Sequence, residues 1–232
     1  MKTNLIAKLV FAAACFATCC LSVQAQIPGL YITEVNPSGS GNLNYAADWF
    51  ELTNTSASVI SLVGWKMDDN SNSFGSAVGL RGVTSINPGQ SIIFFEGNAT
   101  GTTDATIAAA FNSAWGTSLV FGSTIGAYGG SGVGLSSSGD AVNIYDAGGA
   151  LRANVSFGAA TSLVSFDNTA LLNNTSITQL SVAGTNGAFL SSINEIGSPG
   201  YAAIPEPSTY ALMLGLGALG VAAFRRKRAQ AA

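Results

Sequence analysis

Leu30-Tyr31-Ile32-Thr33-Glu34-Val35 and, further on, Asp48-Trp49-Phe50-Glu51-Leu52-Thr53-Asn54 are short runs of β-branched and aromatic residues with polar ones interleaved. Such runs suit a pleated, half-buried surface on which successive side chains point to opposite faces. Glu51 alternates with apolar Phe50 and Leu52, so the pattern predicts that it faces outward or pairs locally. Runs of the same kind recur at Val59–Met67, Ser91–Glu96, Ala141–Tyr145, Leu151–Phe157 and Ser176–Val182. Asn87-Pro88-Gly89 and Asp146-Ala147-Gly148-Gly149 separate some of them as turns. About seven strands with turns between them and no βαβ alternation predict an all-β, antiparallel β-sandwich.

One helix is expected. Asp104 is a suitable N-cap for Ala105 to Trp115, where Ile107, Phe111 and Trp115 recur at four-residue spacing and Gly116 ends the run. It belongs to a long insert, residues 97–139, whose part from Gly122 to Gly139 is rich in glycine and serine and reads as loop. Trp65, behind Leu62 and Val63, is assigned to the sandwich interior.

Both ends carry addressing patterns. Lys2 and Lys8 precede an uncharged, mostly apolar run from Leu9 to Leu21, and Val23-Gln24-Ala25 then puts small residues at positions −3 and −1 of a peptidase site. That run is too short for a hydrocarbon core that needs about 20 helical residues, so residues 1–25 read as a cleaved export signal. Cys15, Cys19 and Cys20 leave with it, and the mature chain must rely on an ordinary hydrophobic core. At the other end Pro205-Glu206-Pro207 is followed by the uncharged stretch Thr209–Phe224 and by Arg225-Arg226-Lys227-Arg228. The prolines keep the motif out of a helix. The uncharged stretch makes only about 24 Å of helix, a marginal span. The basic tail stays on the cytoplasmic side, which puts the domain outside the membrane.

This C-terminal order resembles the PEP-CTERM sorting signal of Gram-negative bacteria, over residues 204–232, with the motif at 205–207, a transmembrane helix at 209–224 and a basic tail at 225–228. The resemblance implies recognition by an exosortase, a membrane cysteine protease, a transient inner-membrane intermediate, and an association with exopolysaccharide and biofilm. A second resemblance covers residues 26–203. The two opening runs, Ser61-Leu62-Val63-Gly64-Trp65-Lys66-Met67, Ile86-Asn87-Pro88-Gly89-Gln90 and Ser198-Pro199-Gly200 are similar in their order to the signatures of a lamin tail domain. That family implies an immunoglobulin-like sandwich, from which the 97–139 insert departs.

Once the ends are removed, Lys66, Arg81 and Arg152 face eleven acidic residues, a net charge of −8 against −3 for the whole chain. Such a surface repels phosphate backbones, so no nucleic-acid partner is expected. There is no histidine, hence no Ser-His-Asp triad and none of the commonest general base or metal ligand. The mature chain also has no thiol for catalysis or metal binding. Asp68, Asp69 and Asn70, with Ser71 and Asn72, offer oxygens of the kind Ca²⁺ takes, but without the spacing of an EF-hand; a solvated turn and no cofactor is the expectation. Trp49, Trp65, Trp115, Tyr31, Tyr45 and Tyr128 would form a glycan platform if exposed together, and core packing is their commoner fate. Asn54, Asn98, Asn154 and Asn174 begin glycosylation triplets, which chance explains in a chain this rich in Asn, Ser and Thr.

The expected protein is therefore exported and non-catalytic, processed by signal peptidase and an exosortase-like protease, and destined for the cell surface or an extracellular matrix with exopolysaccharide as its partner. A module binding a glycan, Ca²⁺ or a protein is the alternative, ahead of a hydrolase. Mass-spectrometric sequencing of the exported protein is expected to find Gln26 as its first residue; an intact Met1 would overturn the cleavage.

Overall fold

The computed structural model describes residues 26–41, 44–130, 132–169 and 172–202. The export signal, the sorting motif, the transmembrane helix and the basic tail read from the sequence lie outside the described residues. In chain order the elements are β1 (Leu30–Asn36), a 3-10 turn (Gly39–Gly41), β2 (Trp49–Asn54), β3 (Ile60–Ser61), β4 (Lys66–Asp68), β5 (Val78–Gly79), β6 (Ser85–Ile86) and β7 (Ser91–Glu96). There follow α1 (Asp104–Trp115), β8 (Ile125–Tyr128), β9 (Asp140–Tyr145), β10 (Leu151–Phe157), β11 (Phe166–Asp167), β12 (Ser176–Ile177), β13 (Phe189–Leu190) and β14 (Ile196–Gly197). Five of the predicted runs form strands within a residue of the expected bounds. Val59–Met67 is two short strands rather than one, because the chain turns at Gly64 with φ 75°. Of Ser176–Val182 only the first two residues form a strand, and Leu180 adds an isolated antiparallel bridge to Phe166.

Two five-stranded sheets form, in the orders β11-β1-β2-β7-β8 and β12-β10-β9-β4-β5. Leu30, Ile32, Val35, Phe50, Leu52, Ile92 and Phe94 of the first sheet meet Met67, Val142, Ile144, Ala153, Val155 and Phe157 of the second in one buried cluster. That layering is consistent with an immunoglobulin-like sandwich. Trp65 lies in this cluster, as predicted.

The sheets are not purely antiparallel. β7 pairs β8 in parallel, and β10 pairs β12 in parallel. The insert explains the first case, since parallel neighbours need a long crossover and α1 supplies it. With β7 the insert therefore completes a β-α-β unit that the sequence pattern does not predict, and its glycine-rich part holds a buried edge strand, β8. Gly126 fits that strand to its neighbours: a Cβ there would stand 2.8 Å from the Phe94 ring and 2.7 Å from the Arg81 carbonyl.

α1 packs Ala108, Phe111, Ala114 and Trp115 onto Trp49, Ile93, Phe95, Ile125 and Ala127, the side of the first sheet that faces away from the sandwich. Trp49 meets Phe111 and Trp115 edge-on at 5.7 and 5.9 Å, a geometry that aromatic quadrupoles favour. Asp104 is not the N-cap. Thr103 holds that position without a side-chain capping bond, and Asp104 sits in the first turn, where Arg81 grips it at 2.7 and 3.0 Å. The C-terminal end is as expected, with Gly116 at φ 64° and its N–H on Asn112.

Leu62 is 1% exposed and its neighbour Val63 63%. Leu62→Ala is expected to lower the unfolding free energy by roughly 2–5 kcal/mol. Val63→Ala should change it by less than about 0.5 kcal/mol, both read by urea denaturation.

Candidate functional site

The ladder between β1 and β2 shifts register between Ile32 and Glu34, which makes Thr33 the extra residue of a bulge. Ile32 and Val35 both keep their places in the sandwich core, while Thr33 and Glu34 both turn to the outer face. Glu34 then stands opposite Glu51 on one side and opposite Asp167 of β11 on the other. Directly opposed residues of antiparallel strands share a face, so three carboxylates form a row across three strands. Glu34 is 1% exposed, Glu51 0% and Asp167 4%. Glu51 does face outward from the sandwich and pairs with Thr33 and Thr53, but it is not exposed there, because the outer face of this sheet is itself covered.

The cover is α1 and a strap formed by the chain from Asn186 to Gly200. Asn186 Nδ2 donates to Asp167 Oδ2 at 2.9 Å. Ser198 donates its N–H to Glu34 Oε1 at 2.9 Å and its hydroxyl to Oε2 at 3.0 Å. The Gly200 N–H reaches Glu51 Oε2 at 2.7 Å. Hydroxyls within the sheet complete the set: Ser165 on Glu34 and Thr33 on Glu51, each at 2.5 Å, with Thr53 bridging Thr33 and Ser91. Thr169 gives both its N–H and its hydroxyl to Asp167. Gly197 has to be a glycine for the strap to lie this close, since a Cβ would fall 2.4 Å from Glu34 Oε1 and 3.0 Å from the Trp115 ring. A fourth buried acid, Glu195, enters from the strap itself and accepts the Tyr45 hydroxyl at 2.5 Å, which in turn receives Trp49 Nε1 at 3.3 Å.

No cation offsets this charge among the described residues. Arg81 is on Asp104, Arg152 on Asp146, and Lys66 stands 4.6 Å over the Phe74 ring. Burial therefore pushes the Glu34 carboxyl up to about 8, with the Glu51 charge adding to the shift. Burial likewise pushes Glu51 up to about 7, against the pull of its hydroxyl and amide donors. Burial, then the Glu195 charge, pushes the Tyr45 phenol above its ordinary range. A carboxyl with a raised pKa beside another is the equipment of a glycosidase acid. Here all four oxygens of Glu34 and Glu51 accept from the chain's own donors, so the row holds the strap and offers nothing to a substrate.

The other sequence-derived candidates are arranged differently. Asp68 is buried, and its carboxylate accepts from the Ser71 and Ser76 hydroxyls and the Ser73 N–H at 2.6, 3.0 and 2.7 Å. Asp69 accepts the Ser71 N–H, and the Asn70 N–H turns to Asp140. The Asp68–Asn72 loop is thus folded around its first carboxylate. The aromatic platform does not form: Trp49, Trp65, Trp115, Tyr45 and Tyr128 are buried, and Tyr31 is half-buried. Of the glycosylation triplets, that at Asn98 is exposed, whereas Asn54 is buried with its amide on the Ser58 and Ile86 carbonyls. Sequence reading missed the acid row because a bulge leaves no residue signature; the one available signal was two glutamates inside strand patterns.

The raised values set the sign of a pH effect. Each carboxyl has an ordinary value of 4.5, so above that pH the folded chain holds protons that the unfolded chain has lost. The stability they contribute is complete below about pH 4.5 and is lost as pH rises through about 7 for Glu51 and about 8 for Glu34. Urea denaturation should show stability falling between pH 5 and 8.5, and Glu51→Gln should exceed the wild type at the alkaline end by more than about 1 kcal/mol.

Compared with known families, residues 24–159 match the family model of the Lamin Tail Domain, more than half of the chain and β1 to β10 of the fold. Residues 203–228 match that of the PEP-CTERM protein-sorting motif. No curated protein matches. Both families are of non-catalytic kinds, and the motif implies export and surface targeting through an exosortase-type system.

Proposed function

The chain belongs to the lamin tail domain family, and we propose that it is an exported, non-catalytic protein of the cell surface or extracellular matrix of a Gram-negative bacterium. The observation that carries this reading is the order of the C-terminal residues. The folded strap ends at Gly200, Tyr201 is exposed, and the sorting motif begins at residue 203. In the sequence the motif therefore follows directly on the folded domain, an order that supports its being read by a membrane protease.

In this reading signal peptidase removes residues 1–25, and the marginal apolar stretch Thr209–Phe224 holds the protein briefly in the inner membrane. Arg225, Arg226, Lys227 and Arg228 keep the tail on the cytoplasmic side. An exosortase-like protease then cuts at or near Pro205-Glu206-Pro207. The domain's net charge of −8 supports a role among hydrated matrix polymers, exopolysaccharide included, and opposes nucleic acid. The absence of histidine from the sequence supports a non-catalytic role. We propose no cofactor, since Ca²⁺ at the Asp68–Asn72 loop would have to displace the three hydrogen bonds that Asp68 accepts.

Glu206→Ala separates sorting from simple anchoring. If the motif is read by a protease, the variant keeps Arg225–Arg228 and accumulates in the inner membrane, while the wild-type surface protein ends at or near the motif. Mass spectrometry of the wild-type surface protein decides; recovering it with the basic tail attached would overturn the proposal.

A further inference from the structure

From Glu195 to Gly200 the strap is the last stretch of folded chain before the sorting motif. Its backbone anchoring is slight: β14 is two residues long, and its neighbours on the other side are the Ser165 N–H on the Ile196 carbonyl at 3.1 Å and the Ile196 N–H on the Leu163 carbonyl at 2.8 Å. At its start the strap is also held by the Tyr45 hydroxyl on Glu195, by Ser191 on the Glu195 backbone and by the Ser165 hydroxyl on the Ile196 carbonyl, whereas beyond Gly197 the hold on the sheet is the set of donors that Ser198 and Gly200 aim at Glu34 and Glu51. We propose that Glu34 and Glu51 form a proton-operated latch: with a proton on the pair the strap stays docked, and with both carboxylates charged it detaches while the sandwich persists.

The surroundings of the pair leave a second negative charge without compensation. β11 turns Asp167 toward it, the strap brings Glu195, the segment before β2 brings the Tyr45 phenol, and β7 contributes only the neutral Ser91 on that side. The one ionisable residue of α1, Asp104, lies at the end of the helix remote from Trp115 and holds Arg81. Every titratable group facing the pair is thus acidic or a phenol. Like charges directly opposed in a sheet repel, and the low local dielectric strengthens that repulsion. Burial already drives both carboxyls toward neutral pH, so the second ionisation falls within a range that an exported protein meets.

Detachment is local because the two faces of the first sheet are independent. Ile32, Val35, Phe50 and Leu52 stay in the sandwich core on the opposite face, and none of them depends on the strap. Opening frees Glu195 to Gly200, which lengthens the lead in front of Pro205 by about 20 Å of extended chain. The latch goes beyond the sorting reading and belongs to the folded domain, so it is tested on the full chain whether or not the tail is trimmed.

Hydrogen exchange on the full chain, read by mass spectrometry at pH 6 and pH 9 and corrected for intrinsic rates, tests it. Protection of the Ser198 and Gly200 amides is expected to fall at least about tenfold at the higher pH, the factor that one pK unit supplies. Peptides from β2, β7, β9 and β10 should keep theirs. Glu51→Gln, and separately Glu34→Gln, should abolish the fall. Equal protection at both pH values, a fall that survives in both variants, or a simultaneous loss throughout the domain would overturn the latch. Should a variant lose protection everywhere at pH 6, carboxyl ¹³C titration of the wild type decides instead. Two glutamates titrating above about pH 6.5 support the latch, and all acids titrating below about pH 5.5 overturn it.

Discussion

Three carboxylates side by side in a sheet, with no cation among them, are the constraint to which the outer half of this structure answers. An isolated buried carboxylate is costly enough that it either takes up a proton or gathers hydrogen-bond donors. Here both happen. Glu34 and Glu51 are pushed toward neutrality, and each oxygen is met by a hydroxyl or an amide. The donors come from serines and threonines on the same face and from a strap more than 130 residues away in sequence, since Ser198 reaches Glu34 across a separation of 164. The glycine at position 197 follows from the same demand, because a side chain there would displace the carboxylate from its donors.

The insert answers a second demand of that face. An added parallel strand needs a crossover, and the crossover helix brings an apolar side that must be buried. Trp49, Ile93 and Phe95 alternate with core residues on β2 and β7, so under the helix the first sheet is apolar on both sides and divides the molecule into three layers. Acid row and aromatic cluster meet at Trp115, which packs on Trp49 and whose ring also limits the space at Gly197. Helix and strap thus close one continuous outer layer, and the strap's path depends on where the helix ends.

The family match stops at residue 159, whereas the chain folds on to Gly200. Residues that lie beyond the match, Ser165, Asn186, Ser198 and Gly200, supply the donors for acids, two of which lie within it. The domain is thus completed by its own C-terminal strap, and the residues that match the sorting motif follow it directly in the sequence.

The main strands were legible because period-two patterning and turn residues are local signals, and Ser91–Glu96 and Leu151–Phe157 fall where the pattern puts them. The helix was legible from the spacing of Ile107, Phe111 and Trp115, but its cap was not, because Arg81, 23 residues earlier, takes the Asp104 carboxylate that a local cap would have used. The strand hidden at Ile125–Tyr128 reads as loop among its glycines, since a buried edge strand depends on its neighbour rather than on its own composition. By itself the sequence determined the β class, the histidine-free chemistry, the excess of acidic over basic residues between its two ends and the place of the C-terminal sorting motif, all of them properties of composition and short spacing. Only the tertiary structure decided that Glu34, Glu51 and Asp167 stand in one row, because a one-residue bulge and two strand registers select the face a side chain takes, and both are settled by packing between segments far apart in the chain.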